Sequence, residues 1–157
     1  MLIDDEDVAL LEGPSSLIVG TVDETGLPDA TKAWGVAVQA ARERMRVVLS
    51  ADEERALANA RSTGVFALTA TNVDTFVSVQ VKGRVESVEP ESDRDRARRE
   101  QQIEGFKRAV NETDGTPIEL LGRIEPCAFV TVVATIEEAF DQTPGPTAGR
   151  RREPAAS

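Results

Sequence analysis

Thr75-Phe76-Val77-Ser78-Val79-Gln80-Val81-Lys82-Gly83-Arg84-Val85-Glu86-Ser87-Val88 is the stretch whose reading decides the fold. Val77, Val79, Val81 and Val85 alternate with Ser78, Gln80, Lys82, Arg84 and Glu86. A period of two places the valines on one face of a strand and the polar set on the other. One face belongs to a core; the other is left for water, a ligand or another chain. Gly83, in the middle, marks a bulge or the close approach of another backbone.

Working outward, residues 65–69 read as a shorter strand and residues 50–61 as a helix. Ser50 and Glu53 have the spacing of a capping box, and Gly64 follows the helix end. Further toward the N-terminus, residues 16–22, 30–38 and 44–49 are strands. The turn residues Asp23-Glu24-Thr25-Gly26-Leu27-Pro28 join the first two into a hairpin. Residues 4–11 begin with acids and form a short helix, ended by Gly13-Pro14.

On the C-terminal side, the charge pattern of residues 91–110 predicts a helix with a mainly solvated surface. Residues 117–123 fit one or two helical turns, and residues 128–136, apolar on both faces, a central strand. Thr143-Pro144-Gly145-Pro146 cannot prolong a strand, because proline lacks the amide donor. An ordered turn is expected there, with residues 150–157 disordered. The whole is one α+β, mainly β, domain over residues 1–149, whose sequential strands pair as antiparallel neighbours around a barrel.

Composition narrows the chemistry. The chain has 157 residues, 18 valines, one tryptophan and no tyrosine, which favours β-structure. A formal net charge of −10 repels nucleic-acid phosphates and anionic membrane surfaces. With no histidine there is no Ser-His-Asp triad and no His-ligated metal or haem. The single cysteine, Cys127, forms no intrachain disulfide, and its apolar surroundings predict a buried, inert thiol. The acidic start is not a signal peptide, and the cytoplasm is the expected location. A chemistry without histidine or tyrosine suits a cofactor that carries its own reactive atom.

Three places can carry a ligand. In Thr31-Lys32-Ala33-Trp34-Gly35, Lys32 and Trp34 share a strand face, so a cation stands beside an indole. That pair suits a flat anionic ligand, or equally a surface lysine lying on an interfacial tryptophan. At Ser50 a strand meets a helix start, where free amides favour anions. Asp52, Glu53 and Glu54 oppose an anion there, and Arg55 and Arg61 are the nearby cations. The third place is the polar stripe of Ser78, Gln80 and Lys82, either solvated or a ligand and interface wall.

In order and spacing these segments resemble the pyridoxamine 5′-phosphate oxidase-like, FMN-binding split-barrel superfamily. The resemblance runs from Leu17-Ile18-Val19-Gly20-Thr21-Val22 through Thr31-Lys32-Ala33-Trp34-Gly35 and Val47-Val48-Leu49-Ser50 to Val79-Gln80-Val81-Lys82-Gly83-Arg84-Val85. The ending Glu138-Ala139-Phe140-Asp141-Gln142-Thr143-Pro144-Gly145-Pro146 resembles that of a small bacterial branch. The resemblance implies a six-stranded antiparallel split β-barrel with flanking helices, working as a homodimer with two FMN sites at the subunit interface. It implies an FMN-dependent oxidoreductase of open substrate, with deazaflavin F420 or a cofactor-free dimer as alternatives. Lys32, Ser50 and Arg55 would hold the phosphate; Thr31, Trp34, Gln80 and Lys82 would line the site. The family's lysine early in the helix is replaced by Asp52-Glu53-Glu54-Arg55-Ala56. Oxidation of vitamin B6 is not expected.

Overall fold

The computed structural model describes residues 1–154. In chain order the elements are α1 (Asp5–Glu12), β1 (Ser15–Val22), β2 (Pro28–Val38), β3 (Arg44–Ser50), α2 (Glu54–Ser62), β4 (Val65–Asn72) and β5 (Ser78–Pro90). Then follow α3 (Asp93–Asp114), α4 (Ile118–Gly122), β6 (Phe129–Thr135), β7 (Glu138–Asp141) and β8 (Arg150–Arg151). Strands β1, β2, β3, β6, β5 and β4 pair antiparallel in that cyclic order, and β4 returns to β1. This is the six-stranded split barrel expected from the sequence.

The deciding stretch behaves largely as its period dictates. Val79 and Val81 point inward and are fully buried with Val19, Leu49, Phe66, Leu68 and Val132. Burying each such side chain contributes about 1.5–3 kcal/mol. Val77 departs from the pattern: it precedes β5 and is 48% exposed. Gly83 is required by close approach. A Cβ placed on it would lie 2.0 Å from the Thr135 carbonyl oxygen. At that point the partner of β5 changes from β7, paired at residues 79–82, to β6, paired from Val85 onward. A bulge between Val85 and Ser87 shifts the register there.

Helices close the barrel. Ile3 and, from α1, Leu11 enter the core at one end, and Ser15 Oγ donates to the Leu10 carbonyl. At the other end Leu57 of α2 is buried, and Asn59 Nδ2 donates to Thr21 Oγ1 at 3.1 Å. Helix α3 begins in a capping box of Ser92 and Asp95 and lies across β2. Gly35 permits this, since a Cβ there would stand 3.0 Å from the Arg99 Cα.

Several local expectations are corrected. Ser50 does not cap a helix: β3 continues through it, paired with Phe129, and α2 starts at Glu54 with no side-chain cap. The Ser50 hydroxyl instead accepts from the Asp52 amide at 3.2 Å. Helix α3 is less solvated than its charges suggest, because Asp95, Arg99, Gln102 and Ile103 are buried beneath it. Gln102 accepts from the Val36 amide and donates to the Leu11 carbonyl, serving a bulged strand whose ladder is interrupted. Cys127 is exposed, since the apolar run starts its strand only at Phe129.

The proline-containing turn is ordered. Asp141 accepts from the Thr143 amide and the Thr147 hydroxyl, and its carbonyl accepts from the Gly149 amide. The expected disorder does not begin at Arg150: Arg150–Arg151 pair with Asp141 and Phe140 as β8. Arg152 then forms an ion pair with the buried Asp7. The rest of that expectation, at residues 155–157, lies outside the described residues.

Candidate functional site

Strand β2 carries the first group of expected residues, and its alternation divides them. Thr31 lies opposite Val19 and is buried on the inner face. Lys32 and Trp34 lie on the outer face, with Lys32 Nζ 5.2 Å from the indole centroid. Helix α3 covers both. The Phe106 ring also sits 4.1 Å from Lys32 Nζ, and burial pushes the Lys32 ammonium below its ordinary range. Trp34 is 8% exposed and meets Phe129 edge-on at 6.3 Å. The space left beside them, shared with Leu17, Ile103 and Ile124, is about 20 Å³. That holds no more than a water molecule.

The helix start contributes little to an anion. Arg55 is exposed and stands 3.8 Å from Asp29, with Asp52, Glu53 and Glu54 directly before it in the chain. Ser50 is buried, with its hydroxyl engaged by the Asp52 amide.

Gln80 and Lys82 stand on β5, three strands from β2 in either direction round the barrel. Gln80 donates to Thr69 Oγ1 at 3.0 Å and lies opposite Phe140 of β7. Lys82 is exposed, and its Nζ sits 4.6 Å from the Phe140 centroid. Among the described residues it has no carboxylate at ion-pair distance. The neighbouring outer faces of β1 and β4 leave Ile18 43% and Val65 39% exposed, with Gly20 and Ala67 as a flat floor between them. An open trough of about 340 Å³ runs here past Lys82, Arg84 and Glu138.

Thus the chain by itself does not bring the seven expected residues together. Thr31, Lys32, Trp34, Ser50 and Arg55 lie on β2, β3 and α2; Gln80 and Lys82 lie on the opposite wall. Phe140 and Phe106 were missed. Phe140 lies in the four-residue strand β7, too short to show a period, and Phe106 lies on a helix whose buried stripe is masked by charged neighbours. Their distance from Lys82 and Lys32 in sequence gave no signal of contact.

The family cofactor can be tested against these residues. The phosphate of FMN needs cations and free donors on an accessible face. Lys32 is part-buried beside two rings, Thr31 is inside the barrel, the Ser50 hydroxyl already accepts from the Asp52 amide, and Arg55 is exposed with Asp29 at 3.8 Å. These residues do not fit the phosphate. Among the described residues no group of acids, cysteines or histidines is arranged to hold a metal ion. Nor is any described helix long and apolar enough to cross a membrane.

Comparison with known proteins places the fold. A putative pyridoxamine 5′-phosphate oxidase from Lactobacillus delbrueckii superposes with a TM-score of 0.56 at 19% identity, over 88% of this chain and 93% of that one. An F420 reductase gives 0.53 at 17% identity, over 87% and 98%. HutZ, the heme storage protein from Vibrio cholerae, gives 0.52 at 17% identity, over 90% and 95%. Such identities speak for the fold alone. No curated protein sequence matches the chain. The pyridoxamine 5′-phosphate oxidase family model matches residues 3–121, more than half of the chain, which therefore belongs to that family.

Proposed function

We propose that this chain is a homodimeric split-barrel protein that takes a flavin-type cofactor through its ring system, without a phosphate clamp. The observation that carries this reading is the pairing of the exposed Lys82 with Phe140 beside the open trough over β1, β4 and β5. An exposed cation beside a half-buried ring suits a planar ligand whose carbonyl edge takes up negative charge on reduction. The adjoining apolar strand faces, with Ile18 and Val65 exposed, suit a second copy of the chain. The ring would lie between the two copies. Family membership supports flavins as the ligand class, with FMN first and F420 as the alternative ring. A redox role follows only with that ligand bound.

A cofactor-free dimer is the second reading. The acids at the start of α2 and the part-buried Lys32 favour it. The test combines light scattering, the absorption spectrum of the purified protein and flavin titration. A dimer with saturable ring binding supports the first reading. A dimer that binds neither flavin nor F420 selects the second, and a monomer removes both.

A further inference from the structure

We infer that the groove between α2, α3 and the start of β6 is a binding site for a small oxyanionic molecule, its phosphate or carboxylate head seated between Arg61 and Arg96. The groove is an open cavity of about 670 Å³, within the size range of small-molecule sites. It uses none of the residues assigned above to the flavin reading, so the two stand or fall separately.

Three guanidinium groups line it, from two helices. Arg99 is fixed: Glu91 accepts from it at 2.5 and 3.2 Å, and its guanidinium lies 3.8 Å from the Phe129 centroid. Arg96 shares that same Glu91 at 3.5 Å and keeps 55% of its side chain exposed. One carboxylate is therefore divided between two arginines. Glu89, the other acid of the groove, is turned to Arg46 at 3.1 Å. Arg61, exposed at the end of α2, has no carboxylate at ion-pair distance among the described residues. In a chain of net charge −10 this is a local excess of positive charge. Planar guanidinium forks match the oxygen pairs of phosphate and carboxylate, and a groove of this size holds a body up to that of a mononucleotide.

The full chain would be titrated calorimetrically at low ionic strength with sodium pyrophosphate, adenosine monophosphate and citrate. At least one probe is expected to bind saturably. The phosphate probes and citrate distinguish the two head groups. Arg61→Gln and Arg96→Gln should each weaken it about tenfold or more, the loss of one charge-assisted contact. Arg108→Gln removes the same charge from an exposed position near the far end of α3 and should leave affinity within about twofold. Cys127 lines the groove and is exposed, so its alkylation by iodoacetamide gives a second readout. The bound probe should slow alkylation in the wild type and in Arg108→Gln. Absence of binding, equal losses in all three variants, or binding that leaves Cys127 unprotected would overturn the inference.

Discussion

Lys32 and Lys82 are each a strand lysine beside an aromatic ring, yet only one faces solvent. Lys32 is part-buried beside Trp34 and Phe106 beneath α3, while Lys82 rests on Phe140 in the open. The local chemistry is nearly the same on the two walls. What differs is a helix laid over one of them, and that helix is admitted by a single glycine at Gly35. The comparison teaches that a cation–aromatic pair in a strand identifies a face, and only the tertiary cover says whether a ligand can reach it.

The strongest way to break the comparison is to disturb the barrel that separates the walls. Gly83→Ala forces a Cβ into the Thr135 backbone at the point where β5 changes partner. Backbone cannot yield as a side-chain tip can. We expect loss of cooperative folding, read as a missing thermal transition. A variant that melts like the wild type would show that the corner is not close-packed.

The cover itself hangs on Asp95. It is buried, pairs with Arg46 at 2.9 Å, and accepts from Ser92 and from Thr131. Asp95→Asn removes one partner of a buried pair and should cost about 3–5 kcal/mol by urea denaturation at neutral pH. The Arg46 guanidinium holds the Asp95 carboxyl well below the usual carboxylate range. A depressed folded value means the contribution is present above the unfolded value and is lost as pH falls through the folded one. The wild type should therefore keep this stability through mildly acid pH and lose it only in strong acid. Equal stability of wild type and variant at neutral pH would detach Asp95 from the docking of α3.

Most of the barrel was legible because period and turn chemistry are local. The alternation of Val79 and Val81 and the Asp23–Pro28 turn each determine structure within a few residues. The site was legible only in part. Lys32 and Trp34 do share a face, but what covers that face is Phe106, more than seventy residues later by the count of their numbers. Ser50 read as a cap because its spacing to Glu53 fits one, whereas pairing with Phe129 keeps it in β3. Cross-strand and helix-on-sheet partners are set by global packing, which no short window reports.

A smaller effect separates the lysines directly. Lys32→Met replaces a partly desolvated ammonium with an apolar chain of similar length. Stability should change by no more than about 1 kcal/mol, and ligand binding should not move. Lys82→Met should leave stability unchanged and weaken flavin binding by about five- to tenfold, the loss of a cation–aromatic or single charged contact. The reverse result in a fluorescence titration would mean that α3 opens and that the covered wall is the site.

The most direct measurement is a flavin-fluorescence titration of the wild-type protein with FMN and with riboflavin. A ring held without a phosphate clamp predicts that the two bind within about threefold of each other, because no pair of charge-assisted contacts, together worth a hundredfold or more, engages the phosphate. FMN binding a hundredfold tighter than riboflavin, with the gap closed by Lys32→Ala, would contradict the account.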